Sequence, residues 1–79
     1  MARPALNVRL TQNDKTYLSK LLRGEVQQVR MVLRALILLQ LDKGASAEHI
    51  SAIIPFTPQA IRGIAHRYED GGLDSALSE

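Results

Sequence analysis

Ser46–Tyr68, SAEHISAIIPFTPQAIRGIAHRY, carries the strongest structural signal in the chain. Two short helical patterns flank a break at Pro55-Phe56-Thr57. Ser46 suits the N-cap of the first, which runs to about Ile54, where Pro55 removes an amide donor and clashes with the preceding turn. Thr57-Pro58 restarts the helix, with a hydroxyl at the N-cap and a proline at the first helical position. Ile50, Ile54, Ile61 and Ile64 supply buried positions, and Phe56 plugs the turn between them. The pattern is that of a helix-turn-helix.

The later helix carries Ala60, Ile61, Ile64, Ala65 and Tyr68 inward, and Gly71-Gly72 ends it. Leu73 and Leu77 then read as a tail folding back on the core. Upstream, a longer helix spans about Val26 to Lys43 and stops at Gly44. Val29, Val32, Leu33, Leu36 and Ile37 form its main apolar stripe, with Met31, Ala35 and Leu38 roughly opposite. A helix apolar on nearly every side is either wrapped by its neighbours or shared with another chain. The second option makes Met31, Ala35 and Leu38 a homodimer face. Before it, Thr11 and Asp14 form a capping-box-like start to a first helix, which buries Tyr17, Leu18, Leu21 and Leu22 and ends at Gly24. Residues 1–10 show no helical period and read as a flexible basic arm. The expectation is an all-α, four-helix domain over residues 11–79, with its helix-turn-helix core at 46–70.

Composition narrows the function classes. Seventy-nine residues make one small domain. At 46% hydrophobic and 23% charged, with one Phe and no Trp, the core has to be aliphatic. No cysteine is present, which removes disulfides, thiolate zinc sites and thiol nucleophiles. The N-terminus lacks a signal-peptide pattern, and no apolar run approaches the ~20 residues needed to span a bilayer. A cytoplasmic location is expected, at the nucleoid if the source is prokaryotic. Enzyme signatures are missing: there is no phosphate-binding glycine loop, no triad-like context for the serines and histidines, and no metal-ligand set around His49 or His66. No cofactor is implied.

Charge is uneven. Residues 1–34 sum to +5 and residues 35–79 to −3, although the whole chain is only +2. With Ile61, Ile64 and Tyr68 inward, the outward face of the last helix offers Gln59, Arg62, Gly63, His66 and Arg67. Gln pairs with adenine and Arg with guanine through two hydrogen bonds each, and His bonds bases or phosphates. Thr57 and the free amides of the helix start suit a phosphate, and Ser46 holds the equivalent place on the helix before. Gly63 allows close approach, and Arg30 and Arg34, one turn apart, can track a backbone. Arg3 and Arg9 on the arm can reach along the backbone or into a minor groove. Double-stranded DNA is the partner these residues fit, with the helix from Thr57 onward in the major groove.

The chain also resembles the N-terminal DNA-binding domain of insertion-sequence transposases of the mariner-like superfamily. The likeness runs from about Leu10 to Leu77. It is carried by the capped first helix, Arg34-Ala35-Leu36-Ile37-Leu38-Leu39 and Lys43-Gly44-Ala45-Ser46. Ile50, Ile54, Phe56-Thr57, Ala60-Ile61, Ile64, Arg67-Tyr68, Gly71-Gly72-Leu73 and Leu77 complete it. The resemblance implies a homeodomain-like helical module that recognises terminal inverted repeats. Pro55 stands where such domains usually carry Gly, and Ile64 where a Trp is frequent. The acidic catalytic domain of the family is absent from these residues. Two alternatives remain open: a helix-turn-helix turned to protein interaction or oligomerisation, and a small transcriptional regulator.

Overall fold

The computed structural model describes residues 8–24 and 28–78. Among them the chain is all-helical: α1 (Gln12–Arg23), α2 (Val29–Asp42), α3 (Ala47–Ile53) and α4 (Pro58–Leu77). Arg3 and Val26 lie outside the described residues.

The helix ends follow local chemistry. Thr11, Ser46 and Thr57 each accept, through the side-chain oxygen, the amide three residues on, at 3.1 Å in every case. Each therefore satisfies one of the orphan donors at a helix start. Gly24 ends α1 by donating its amide to the Lys20 carbonyl. α2 finishes in a Schellman motif: the Gly44 amide donates to the Leu41 carbonyl and the Ala45 amide to the Gln40 carbonyl. That geometry requires a positive φ, and Gly44 has φ 96°.

Between α3 and α4 the break is compact. The Phe56 amide donates to the Ile54 carbonyl at 2.7 Å, a γ-turn centred on Pro55. The proline ring fixes φ near the value such a turn needs. Phe56 is half-buried against the core. At the far end of α4, Gly72 adopts φ 76°, ψ −165°, a conformation almost confined to glycine, so the α4 span contains a kink there. The last turn beyond it returns Ala76 and Leu77 to the core, and Leu73 packs beside them.

One hydrophobic cluster unites the four helices, with Leu18, Ile37, Leu38, Leu41, Ile50 and Ile61 its largest fully buried side chains. α2 packs against α1, α3 and α4, and α3 packs against α4. Tyr68 on α4 donates its hydroxyl to Asp14 on α1 at 2.5 Å, tying the last helix to the first.

Several orientations differ from the sequence expectation. Val8 and Leu10, placed in the arm, are core residues only 3% and 7% exposed. A short extended segment thus packs before α1, pinned by the Leu10 amide donating to Asp42 Oδ1 at 2.9 Å. Tyr17 is exposed rather than buried, as is Ala60. The largest change is in α2. Ala35, Ile37, Leu38 and Leu41 face the core, whereas Val29 is 72% exposed and Val32, Leu33 and Leu36 are half-buried. The homodimer face assigned to Met31, Ala35 and Leu38 is therefore not available as such. Ala35 and Leu38 have no exposed surface and Met31 is half-buried, because α1, α3 and α4 already cover that side.

Candidate nucleic-acid interface

α4 has one buried and one open side over its first three turns. Ile61, Ile64 and Ala65 are buried and Tyr68 is half-buried. At about 100° per residue, the direction opposite them belongs to Gln59, Gly63, His66 and Asp70. All four are exposed. Gln59, Gly63 and His66 thus form a continuous strip one turn apart. A Cβ at Gly63 would meet nothing within 4 Å, so the strip has a notch at that point. Thr57 sits at its head, its hydroxyl bonded to the Ala60 amide.

The arginines lie on the margins of this strip and have partners inside the molecule. Arg62 ion-pairs with Glu48 of α3, its side chain 39% exposed, which bridges the two helices of the motif. Nothing in the spacing of Glu48 and Arg62 announces that pair, since they are joined only through the turn. Arg67 on the other margin donates Nη1 to the Ser78 carbonyl at 3.0 Å. His66 Nδ1 lies 3.7 Å from Glu69 Oε1, with the imidazole largely exposed.

Of the remaining expected residues, Ser46 caps α3 at the surface and Arg30 is exposed on the first turn of α2. Arg34 is half-buried. Its Nη1 donates to the Leu77 and Ser78 carbonyls at 3.3 and 2.9 Å, while its buried Nε has no partner. Arg34 therefore closes the C-terminal turn together with Arg67, and the two act as a cap on carbonyls that the helix end leaves unpaired. Arg9 is exposed beside the pinned segment before α1.

Electrostatics on the α4 strip are close to balanced. Glu48 lies against Arg62 and Glu69 close to His66, so the acids of this side offset its arginines. Tyr68, at the buried margin, has its phenol pushed up from the ordinary value of 10.0, first by burial and then by its hydrogen bond to Asp14. Among the described residues no group of His, Asp or Glu could hold a metal ion, and no helix is long and apolar enough to cross a membrane. The site offers exposed hydrogen-bonding side chains and a capped helix start. No family model, curated protein or solved structure matches the chain.

Proposed function

We propose that this chain is a sequence-specific DNA-binding domain of the transposase type, with α4 lying in a major groove and no reaction catalysed by the domain itself. The observation that supports this most is the open strip Gln59–Gly63–His66, which directly follows a capped helix start and a tight turn. A helix presented this way, polar on the outside and clamped by α2 and α3 behind, matches the docking geometry of helix-turn-helix readers. The homeodomain-like arrangement and terminal inverted repeats as targets come from the family resemblance. A cytoplasmic or nucleoid location follows from the same reading.

The test is selection of bound duplexes from a random pool, followed by NMR titration with the winner. The expected result is shifts on Thr57 to Arg67. Shifts elsewhere only, or equal affinity for every duplex, would sink sequence-specific recognition. Arg62→Ala is expected to cost ~1–3 kcal/mol on the selected site and to relax one base position. A uniform loss on all sequences assigns Arg62 to phosphate instead.

A second reading is favoured by one observation, the stripe of exposed Val29 and half-buried Val32, Leu33 and Leu36 on the outside of α2. An oligomerisation or partner-docking role fits such a stripe. Light scattering across a concentration series separates the two readings: a monomer that binds DNA supports the first, and a salt-insensitive dimer without DNA affinity supports the second. A small transcriptional regulator shares the first reading's chemistry and differs in its target.

A further inference from the structure

Two cations without an ion pair among the described residues, Arg9 and Lys43, lie on segments outside α4. An open cleft of about 470 Å³ sits between the segment before α1, α1 itself and the end of α2. Val8, Leu10 and Leu41 contribute its apolar lining, and Arg9, Lys15, Asp42, Lys43 and Gly44 complete it. Asp42 is spoken for on both oxygens: Oδ1 accepts the Leu10 amide at 2.9 Å and Oδ2 meets Lys15 Nζ at 3.4 Å. Arg9 and Lys43 are exposed and form no ion pair among the described residues. Three cations against one carboxylate leave the cleft at +2.

The contrast with α4 gives this its meaning. On the recognition side Arg62 is paired with Glu48 and Arg67 is engaged with the Ser78 carbonyl. That side has little uncommitted charge to draw in a polyanion. DNA affinity comes largely from cations that displace condensed counterions from phosphates, and each such contact steepens the salt dependence. The Schellman turn at Gly44 fixes the backbone at Lys43 just before Ser46 and α3, while the Leu10–Asp42 bond fixes it at Arg9. Arg9 and Lys43 are therefore held at defined places around one cleft.

We infer that this cleft is a phosphodiester-binding site, in which Arg9 and Lys43 contact the backbone of duplex DNA and Lys15 supports them from its pairing with Asp42. This rests on the DNA-binding reading and divides its labour. The α4 strip reads bases, and the cleft supplies attraction that does not depend on sequence. Asp42 is a positioning residue: it fastens the Arg9 segment and sets how much positive charge the cleft presents.

The experiment measures duplex affinity of the full chain against salt concentration, on the selected site and on an unrelated sequence. Arg9→Gln and Lys43→Gln should each lower the slope of log K against log salt by about 0.9, and affinity near 50 mM salt by roughly tenfold, equally on both sequences. Asp42→Asn, which keeps an acceptor for the Leu10 amide but removes a negative charge, should move affinity the other way and raise it on both. Circular dichroism confirms folding of each variant. If Arg9→Gln and Lys43→Gln leave slope and affinity unchanged while Arg62→Ala still weakens the selected site, the cleft assignment is overturned and the DNA-binding reading stands. If the wild-type chain binds no duplex, both fall. Inorganic phosphate at the same phosphate concentration should shift no resonance of Arg9 or Lys43. Saturation by it would reassign the cleft to a free anion and overturn the proposal.

Discussion

α2 and α4 pack against each other, yet they are built on opposite plans. α2 is apolar around nearly its whole circumference and is gripped by three other helices, so its deepest residues, Ala35, Ile37, Leu38 and Leu41, are sealed. Over its first three turns α4 is apolar along one line, Ile61–Ile64–Ala65 with Tyr68, and mostly polar on the exposed side. The first plan makes a scaffold whose outside is left over, and the second makes a display surface whose inside is the means of holding it. A helix that has to be buried can point anywhere its neighbours allow. A helix that has to present side chains needs a contrast between its faces.

The two helices should differ most in what a truncation at Leu38 costs. Leu38→Ala removes a side chain with no exposed surface and should destabilise the domain by ~2–5 kcal/mol in urea denaturation. Leu36→Ala, on the half-buried side of the same helix, should cost clearly less at low protein concentration. Equal costs would mean that the outer stripe is covered too, and the scaffold reading of α2 would have to be revised.

Tyr68→Phe tests how α4 is held from behind. Loss of its bond to Asp14 should cost ~1 kcal/mol near neutral pH. The phenol's folded-state value lies above the unfolded one, so its contribution is fully present below about pH 10 and is lost as pH rises through the raised value. Thermal melts should show the wild type losing stability in that alkaline range, with that component missing from Tyr68→Phe. Parallel alkaline losses in both proteins would remove the phenol from the account.

Gly63→Ala probes the display surface itself. A methyl there meets nothing within 4 Å, so the helix should gain up to about 1 kcal/mol in stability. DNA affinity should fall if the notch receives a base edge or sugar, and a stability gain with unchanged affinity would mean that it receives nothing. Smallest of all, Val29→Lys should change stability by no more than ~0.5 kcal/mol, because the side chain is already 72% exposed. A larger loss measured by denaturation would place Val29 against something that buries it.

The same difference between the two helices explains what was legible in the sequence. The four-helix order, the three hydroxyl caps, the stop at Gly44 and the inward line of α4 from Ile61 onward were readable, because each depends on a local signal: a cap, a glycine, a period with contrast. The orientation of α2 was not readable. Val29, Val32, Leu33 and Leu36 are as apolar as Ala35, Ile37 and Leu38, and periodicity cannot choose between equal faces. Val8 and Leu10 escaped because two apolar residues in an extended segment carry no period at all. The strip on α4 was legible residue by residue, but the partners of its arginines were not. Glu48 and the Ser78 carbonyl reach Arg62 and Arg67 only through the turn and the kink, and long-range pairing leaves no mark in spacing.

The turn after Gly72 bears on the order in which the molecule assembles. Ala76 and Leu77 fill the core, and the carbonyls at residues 77 and 78 receive Arg34 and Arg67. A chain emerging from the ribosome can form α1 to α3 and still lack the wedge that seals them. The domain is thus expected to complete its packing only after residue 78 has emerged, folding as one unit rather than vectorially.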